Sequence, residues 1–145
     1  MARLCITVLV LLLGASTAQA QDVPSLKGTW VSKGKALVYG ANPHHPNAPP
    51  DGNTPRVRDY EFTFEVAGQE GRLAWGQHHS TASPVREPFA WVIALDGKTA
   101  VGTDTDGYTR MTFLSADRME LCYVQASLSP SKAMIAACDI AERRK

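Results

Sequence analysis

From Gly28 onward in the 145-residue chain, short apolar stretches alternate with turn signals, and no apolar spacing of helical period is sustained there. That pattern predicts strands. The clearest is Tyr60-Glu61-Phe62-Thr63-Phe64-Glu65-Val66, in which aromatic and polar positions alternate as a strand with one buried face requires. Gln69-Glu70-Gly71 turns it into a strand that opens with Leu73-Ala74-Trp75 and ends at His78-His79. Asp96-Gly97 and Asp106-Gly107 read as two-residue hairpin turns of type I′, since Asp and Gly tolerate positive φ. They delimit strands from Phe89 to Leu95, Lys98 to Thr105 and Tyr108 to Leu114. Ser115-Ala116-Asp117 then leads into Arg118 to Ala126, and Ser129-Pro130-Ser131 into Ala133 to Ile140.

A first strand from Gly28 to Tyr39 brings the expected total to eight antiparallel strands in up-and-down order. Eight strands suffice to close a small barrel, which removes the exposed edges of an open sheet. A β-sandwich is the alternative. Following the register across the hairpins places Trp91, Ile93, Leu95, Ala100, Gly102, Met111, Phe113, Cys122, Val124, Met134, Ala136, Cys138 and Ile140 on one, inward face. Glu120 falls on that face near the closed end, as a structural carboxylate with Lys98 as a candidate partner. Tyr108, Arg110, Thr112, Leu121, Tyr123 and Gln125 form the opposite, exterior face. A bulge that reversed the register would turn them toward a more polar pocket.

The first twenty residues stand apart from this pattern. Met1-Ala2-Arg3, the apolar run from Cys5 to Leu13 and Ala18-Gln19-Ala20 form the basic start, core and cleavage site of a signal peptide. The run is shorter than the roughly 20 residues of a spanning helix, so a soluble mature protein, periplasmic or secreted, is expected. It comprises an N-terminal segment at 21–27 and one barrel domain at 28–145. Fifteen Lys and Arg stand against fourteen Asp and Glu, and losing Arg3 with the signal leaves the two in balance without a run of like charge. Neither nucleic acid nor an anionic membrane is implied as a partner. Cys122 and Cys138 remain of three cysteines. In an oxidising compartment such an even pair reads as a disulfide. A hairpin that opposes them centres on Pro130, among the turn residues, and a loop of that length implies about 3 kcal/mol of stabilisation.

Gly28-Thr29-Trp30 opening the first strand, with Arg143 or Arg144 after the last, resembles the calycin group of lipocalin-like and avidin-like barrels. The resemblance implies that Trp30 packs at the closed end beneath the late arginine in a cation–π contact. The repeated tryptophans of biotin-binding avidins do not continue here.

Up-and-down order gathers the loops from Gly40 to Arg58, Ser80 to Pro88, Asp104 to Gly107 and Ser127 to Lys132 at the end opposite Trp30, the mouth. The first is long, rich in proline and asparagine, and carries His44-His45, as a lid or binding loop would. With His78-His79, all four histidines collect at the mouth. His44, His45 and His79 are candidate ligands for a transition metal, His79 being the inward member of its pair by parity with Trp75. Solvated histidine doublets are the competing reading. Tyr39, Tyr60, Trp75, His79 and Trp91 are candidate ligand-binding residues; with Phe62 and Phe64 these aromatics could wall a cavity or fill it.

Three functions follow. An exported binder of an apolar or aromatic small molecule is the leading one. A protein-binding barrel, like the lipocalin-like periplasmic protease inhibitors, would use Gln21 to Lys27. A small barrel isomerase or lyase would need a His–carboxylate pair, for which His79 with Asp104 or Asp106 is the available combination. No Gly-x-Ser-x-Gly, His-Glu-x-x-His, phosphate loop or dinucleotide fingerprint occurs, which weighs against an enzyme, and no catalytic residue is assigned.

Overall fold

A computed structural model describes residues 23–40, 54–81, 83, 85–126 and 133–145. The signal-like segment, His44, His45 and the loop around Pro130 lie outside the described residues. Eight strands run β1 Gly28–Tyr39, β2 Arg56–Glu70, β3 Leu73–Ser80, β4 Glu87–Ile93, β5 Thr99–Thr103, β6 Tyr108–Ser115, β7 Arg118–Gln125 and β8 Met134–Arg143. Each pairs antiparallel with the next and β8 returns to β1, so the sheet is a closed up-and-down barrel rather than a sandwich. No helix among the described residues is long and apolar enough to cross a membrane.

Tyr60, Phe62, Phe64 and Val66 face inward on β2 as the alternation predicts, with Phe64 and Val66 buried. On β4 to β6, Trp91, Ile93, Ala100 and Met111 are buried, and Phe113 packs against them. Leu95 instead sits in the β4–β5 turn and is 83% exposed. The turns fall where expected, with a different mechanism. Asp96 keeps negative φ while Gly97 adopts φ 64°, and Gly97 N–H donates to Ala94 O, the geometry of a type I turn followed by a left-handed residue. In the β5–β6 turn neither Asp106 nor Gly107 has positive φ; Asp104 Oδ1 accepts from both their amides and shapes the turn.

On β7 and β8 the structure reverses the expected faces. Ser115 pairs with Arg118, but the register shifts between Phe113 and Ser115, so Phe113 opposes Met119 and Met111 opposes Leu121. One extra residue in β6, Leu114, produces the shift, and a one-residue slip exchanges the two faces of every strand downstream. Met119, Leu121, Tyr123 and Gln125 therefore point inward, and Glu120, Cys122, Val124, Met134, Ala136, Cys138 and Ile140 point outward. Glu120 lies opposite Thr112 and Ile140 on the outer wall, not beside the core. Cys122 and Cys138 are directly opposed and bonded, with Cα atoms 4.0 Å apart, on the outside of the barrel.

The closed end is built around Trp30, which is 1% exposed. The late arginine is Arg143, its guanidinium 4.3 Å from the Trp30 ring centroid. Arg143 also donates to the carbonyls of Ser25 (2.6 Å), Lys27 and Ala116 (2.9 Å) and to Asp117 Oδ1 (3.0 Å). Arg144 contributes its backbone amide to Thr29 O. The chain before β1 is not a free tail. Leu26 is buried; its N–H donates to Gln69 Oε1 and its carbonyl accepts from Trp30 Nε1, while Gln69 Nε2 donates to Pro24 O. Residues 24–27 thus cap the barrel floor.

Because one guanidinium satisfies three carbonyls and a carboxylate there, Arg143→Lys is expected to lower stability by roughly 2 kcal/mol. The urea midpoint checks this; an unchanged midpoint would mean that the cap closes without the guanidinium.

Candidate functional site

The barrel interior is filled unevenly. Toward β4, Phe89 stacks on Trp91 with centroids 4.3 Å apart, and Phe64 packs on both. Gly76 makes room for the Glu65 carbonyl and the edge of the Phe89 ring, and Gly102 for the Trp91 indole, since a Cβ at either would collide with them. Above this stack, on the side of β1, β2, β7 and β8, the inward residues are smaller or stand apart, and a cavity of about 380 Å³ opens to the mouth.

Its apolar wall comes from Ala36 and Val38 on β1, Tyr60, Phe62 and Phe64 on β2, Leu121 and Tyr123 on β7, and Ile135 and Ala137 on β8. Arg56, Arg58, Asp59, Glu87 and Asp106 line the cavity as well, and two polar pairs are set into the wall. The Tyr60 hydroxyl donates to Asp139 Oδ2 at 2.8 Å, in space left by Gly34, where a Cβ would collide with the Asp139 carboxylate. Burial, opposed by the nearby Ser32 hydroxyl and reinforced by Asp139, pushes the Tyr60 hydroxyl up to about 12. Tyr60 therefore stays protonated.

The second pair is His78 with Asp104. His78 is 6% exposed, ringed by Phe62, Phe64 and Phe89, and its Nε2 lies 3.2 Å from Asp104 Oδ2. Burial alone would raise the Asp104 carboxyl, but the His78 contact and the Asp106 and Gly107 amides outweigh it and hold the group below its ordinary range. Tyr123 places its hydroxyl 3.5 Å from Asp104 Oδ1. Its ionisation is driven upward by burial first, then by the charges of Asp104, Asp106 and Glu87. Gln125, 3% exposed, completes this corner on the same face of β7.

Of the residues singled out in the sequence, Tyr60 lines the cavity. Trp91 is buried one layer below it, in the packed stack. Tyr39 lies on the outer face of β1, across from Met134. Trp75 is 47% exposed and covers Gly68 from outside; inside β3 the place a large ring would need is already occupied by Phe89 and Trp91. With Trp75 outside, the parity argument inverts. His78 is the inward histidine, and His79, though of outward parity, is also among the residues that line the cavity. Among the described residues no three His, Cys, Asp or Glu side chains group closely enough to hold a metal ion.

An unbroken register puts Tyr123 and Gln125 outside; the β6 bulge realises the reversed-register alternative and brings them in. Glu120 was the available signal, because the alternate set Met119, Leu121 and Tyr123 carries no charge and suits the interior better.

No family model matches the chain, and no curated protein matches it. Among solved structures, the S-type phycobiliprotein lyase of Guillardia theta aligns with 83% of this chain and 89% of its own length, at 14% identity and a TM-score of 0.35.

A carboxyl depressed in the folded state stabilises fully above its ordinary pKa of 3.8 and loses that contribution as pH falls through the lower folded value. Asp104→Asn is therefore expected to cost stability near pH 7 and progressively less as pH falls below the ordinary carboxylate range. Urea midpoints across that range test this; a constant difference between the proteins would contradict the assignment.

Proposed function

We propose that this chain is an exported barrel that binds one small apolar or aromatic molecule in the mouth-end cavity. The observation that carries the reading is the cavity itself: about 380 Å³, with an aliphatic and aromatic wall and a lining that also includes the charged residues Arg56, Arg58, Asp59, Glu87, Asp104 and Asp106. Small-molecule sites have this size and make-up. The calycin-like strand plan agrees with it, as does the Trp30–Arg143 contact that closes the opposite end and leaves one way in. Export is supported by the signal-like N-terminus and by the disulfide.

Two competing functions fare differently. A protease-inhibitor barrel that inserts its leading segment into a partner would need that segment free, yet residues 24–27 are engaged by Gln69, Trp30 and Arg143 of their own barrel. That weighs against it. The His78–Asp104 contact favours the isomerase or lyase reading more than the sequence did, because a His–carboxylate pair borders the cavity. Both imidazole nitrogens are buried, however, which suits a positioning role better than proton exchange with a substrate.

The neutral dye N-phenylnaphthylamine is expected to bind at one site with a rise in fluorescence. Ala137→Trp, which fills the cavity from β8, should weaken binding at least tenfold, about 1.4 kcal/mol, while leaving thermal unfolding little changed. Dye affinity indifferent to that substitution would remove the cavity as the site. For export, the protein recovered from its own host is expected to begin at Gln21, and an intact Met1 terminus on the folded protein would contradict it.

A further inference from the structure

The outer wall of the barrel is divided by charge. On β1 and β2 it carries the ion pairs Lys33–Glu61 (3.0 Å) and Lys35–Asp59 (2.6 Å), and Glu65 of β2 pairs with Arg86 (2.7 Å). Arg118 and Glu142 join β7 to β8 at 3.2 Å. Across β3 to β6, by contrast, two outward cross-strand rows run side by side: Trp75–Ala90–Thr103–Tyr108 and Leu73–Val92–Val101–Arg110. All eight residues are exposed, Val101 at 60% and Tyr108 at 70%, and Arg110 is the one charged residue among them. The larger apolar and aromatic side chains present on the order of 500 Å² to solvent, a size at which such patches mark interaction sites.

The two rows are graded in size. A barrel wall is convex, so two such walls in contact approach most closely at the middle and diverge at the flanks. Here the middle strands β4 and β5 carry the small residues Ala90, Thr103, Val92 and Val101, and the flanking strands β3 and β6 carry the long ones. The profile reads nearly the same from either end. A two-fold axis parallel to the strands, between β4 and β5, sets Trp75 over Tyr108 of a second copy and Leu73 over its Arg110, each contact being made twice. The same axis leaves the two Arg110 side chains at opposite flanks, about 14 Å apart in strand spacings, so the one charge does not face itself. The lysines and carboxylates of the β1–β2 wall offer no such match.

We propose that the protein forms a two-fold dimer through the outer wall of β3 to β6. The barrels lie side by side with both mouths at the same end, and the contact does not involve the cavity. Because the apolar area falls short of the roughly 800 Å² per partner of a standard interface, the dimer is reversible, with a dissociation constant in the micromolar range.

Sedimentation equilibrium of the full protein from about 1 μM to about 1 mM should show masses rising from monomer to dimer. Val101→Lys, which sets like charges against each other at the axis, and Tyr108→Ser, which removes a flank, should each weaken the dimer at least about tenfold. Both side chains are exposed in the monomer, so circular dichroism should report an unchanged fold. Val57→Lys on β2, equally exposed but outside the contact, should leave the dimer unchanged. Leu73 reports the alignment: with Arg110 of the second copy opposite, the Leu73→Glu dimer should be at least about fivefold tighter than the Leu73→Lys dimer. A monomer at the highest concentration would overturn the proposal and leave the wall to a different partner. A dimer indifferent to Val101→Lys and Tyr108→Ser, one weakened as much by Val57→Lys, or equal affinities for the two Leu73 variants would overturn it as well.

Discussion

The register shift between Phe113 and Ser115 decides the chemistry of the interior. A hairpin without the extra residue would oppose Met111 to Cys122 and Phe113 to Glu120, bringing a carboxylate and the disulfide into the core. The bulge turns β7 and β8 over, so that Met119 and Ala141 complete the packed floor while Tyr123, Gln125 and Ala137 face the cavity. It also sends Glu120 to the outer wall and the Cys122–Cys138 bond to the surface, where neither takes up cavity volume. A backbone irregularity of one residue, placed near the closed end, thus sets the polarity of a site at the other end of the same strands.

The two ends of the barrel are stabilised by opposite means. At the floor, Leu26, Trp30 and Met119 are nearly inaccessible, and Arg143 collects carbonyls from the leading segment and from the β6–β7 turn. At the mouth, small side chains at Ala36 and Ala137 leave space that the Phe64–Phe89–Trp91 stack does not fill. The polar groups there are held by short local geometry: Asp104 by its own turn amides, Tyr60 by Asp139 in the gap left by Gly34. Rigid polar groups in an apolar wall can orient a ligand, which a uniformly greasy pocket cannot do.

Much of the fold is legible in the sequence because strand alternation and turn residues are local signals. The boundaries of β1, the inward aromatics of β2 and the opposed cysteines follow from nearby residues or from strand count, whereas the Trp30–arginine closure is implied only by the resemblance that Gly28-Thr29-Trp30 carries. What the sequence obscures depends on global packing. Trp75 looks like a core residue by its size, but the interior next to β3 is already taken by Phe89 and Trp91, so Ala74 and Gly76 face in. That inversion exchanges His78 for His79. The bulge at Leu114 has no glycine to announce it, so Tyr123 and Gln125 read as exterior. The His78–Asp104 contact joins β3 to a turn beyond β5, a proximity that barrel curvature creates and linear spacing does not show.

In the proposed function an apolar molecule would lie between β1, β2, β7 and β8 above the aromatic stack. Nuclear Overhauser contacts from ethylnaphthalene to assigned methyl groups of the folded protein test it most directly. Contacts to Val38, Leu121, Ile135 and Ala137 are the predicted result. Contacts confined to the outer-wall residues Leu73, Val92 and Val101, or none at saturating probe, would contradict it.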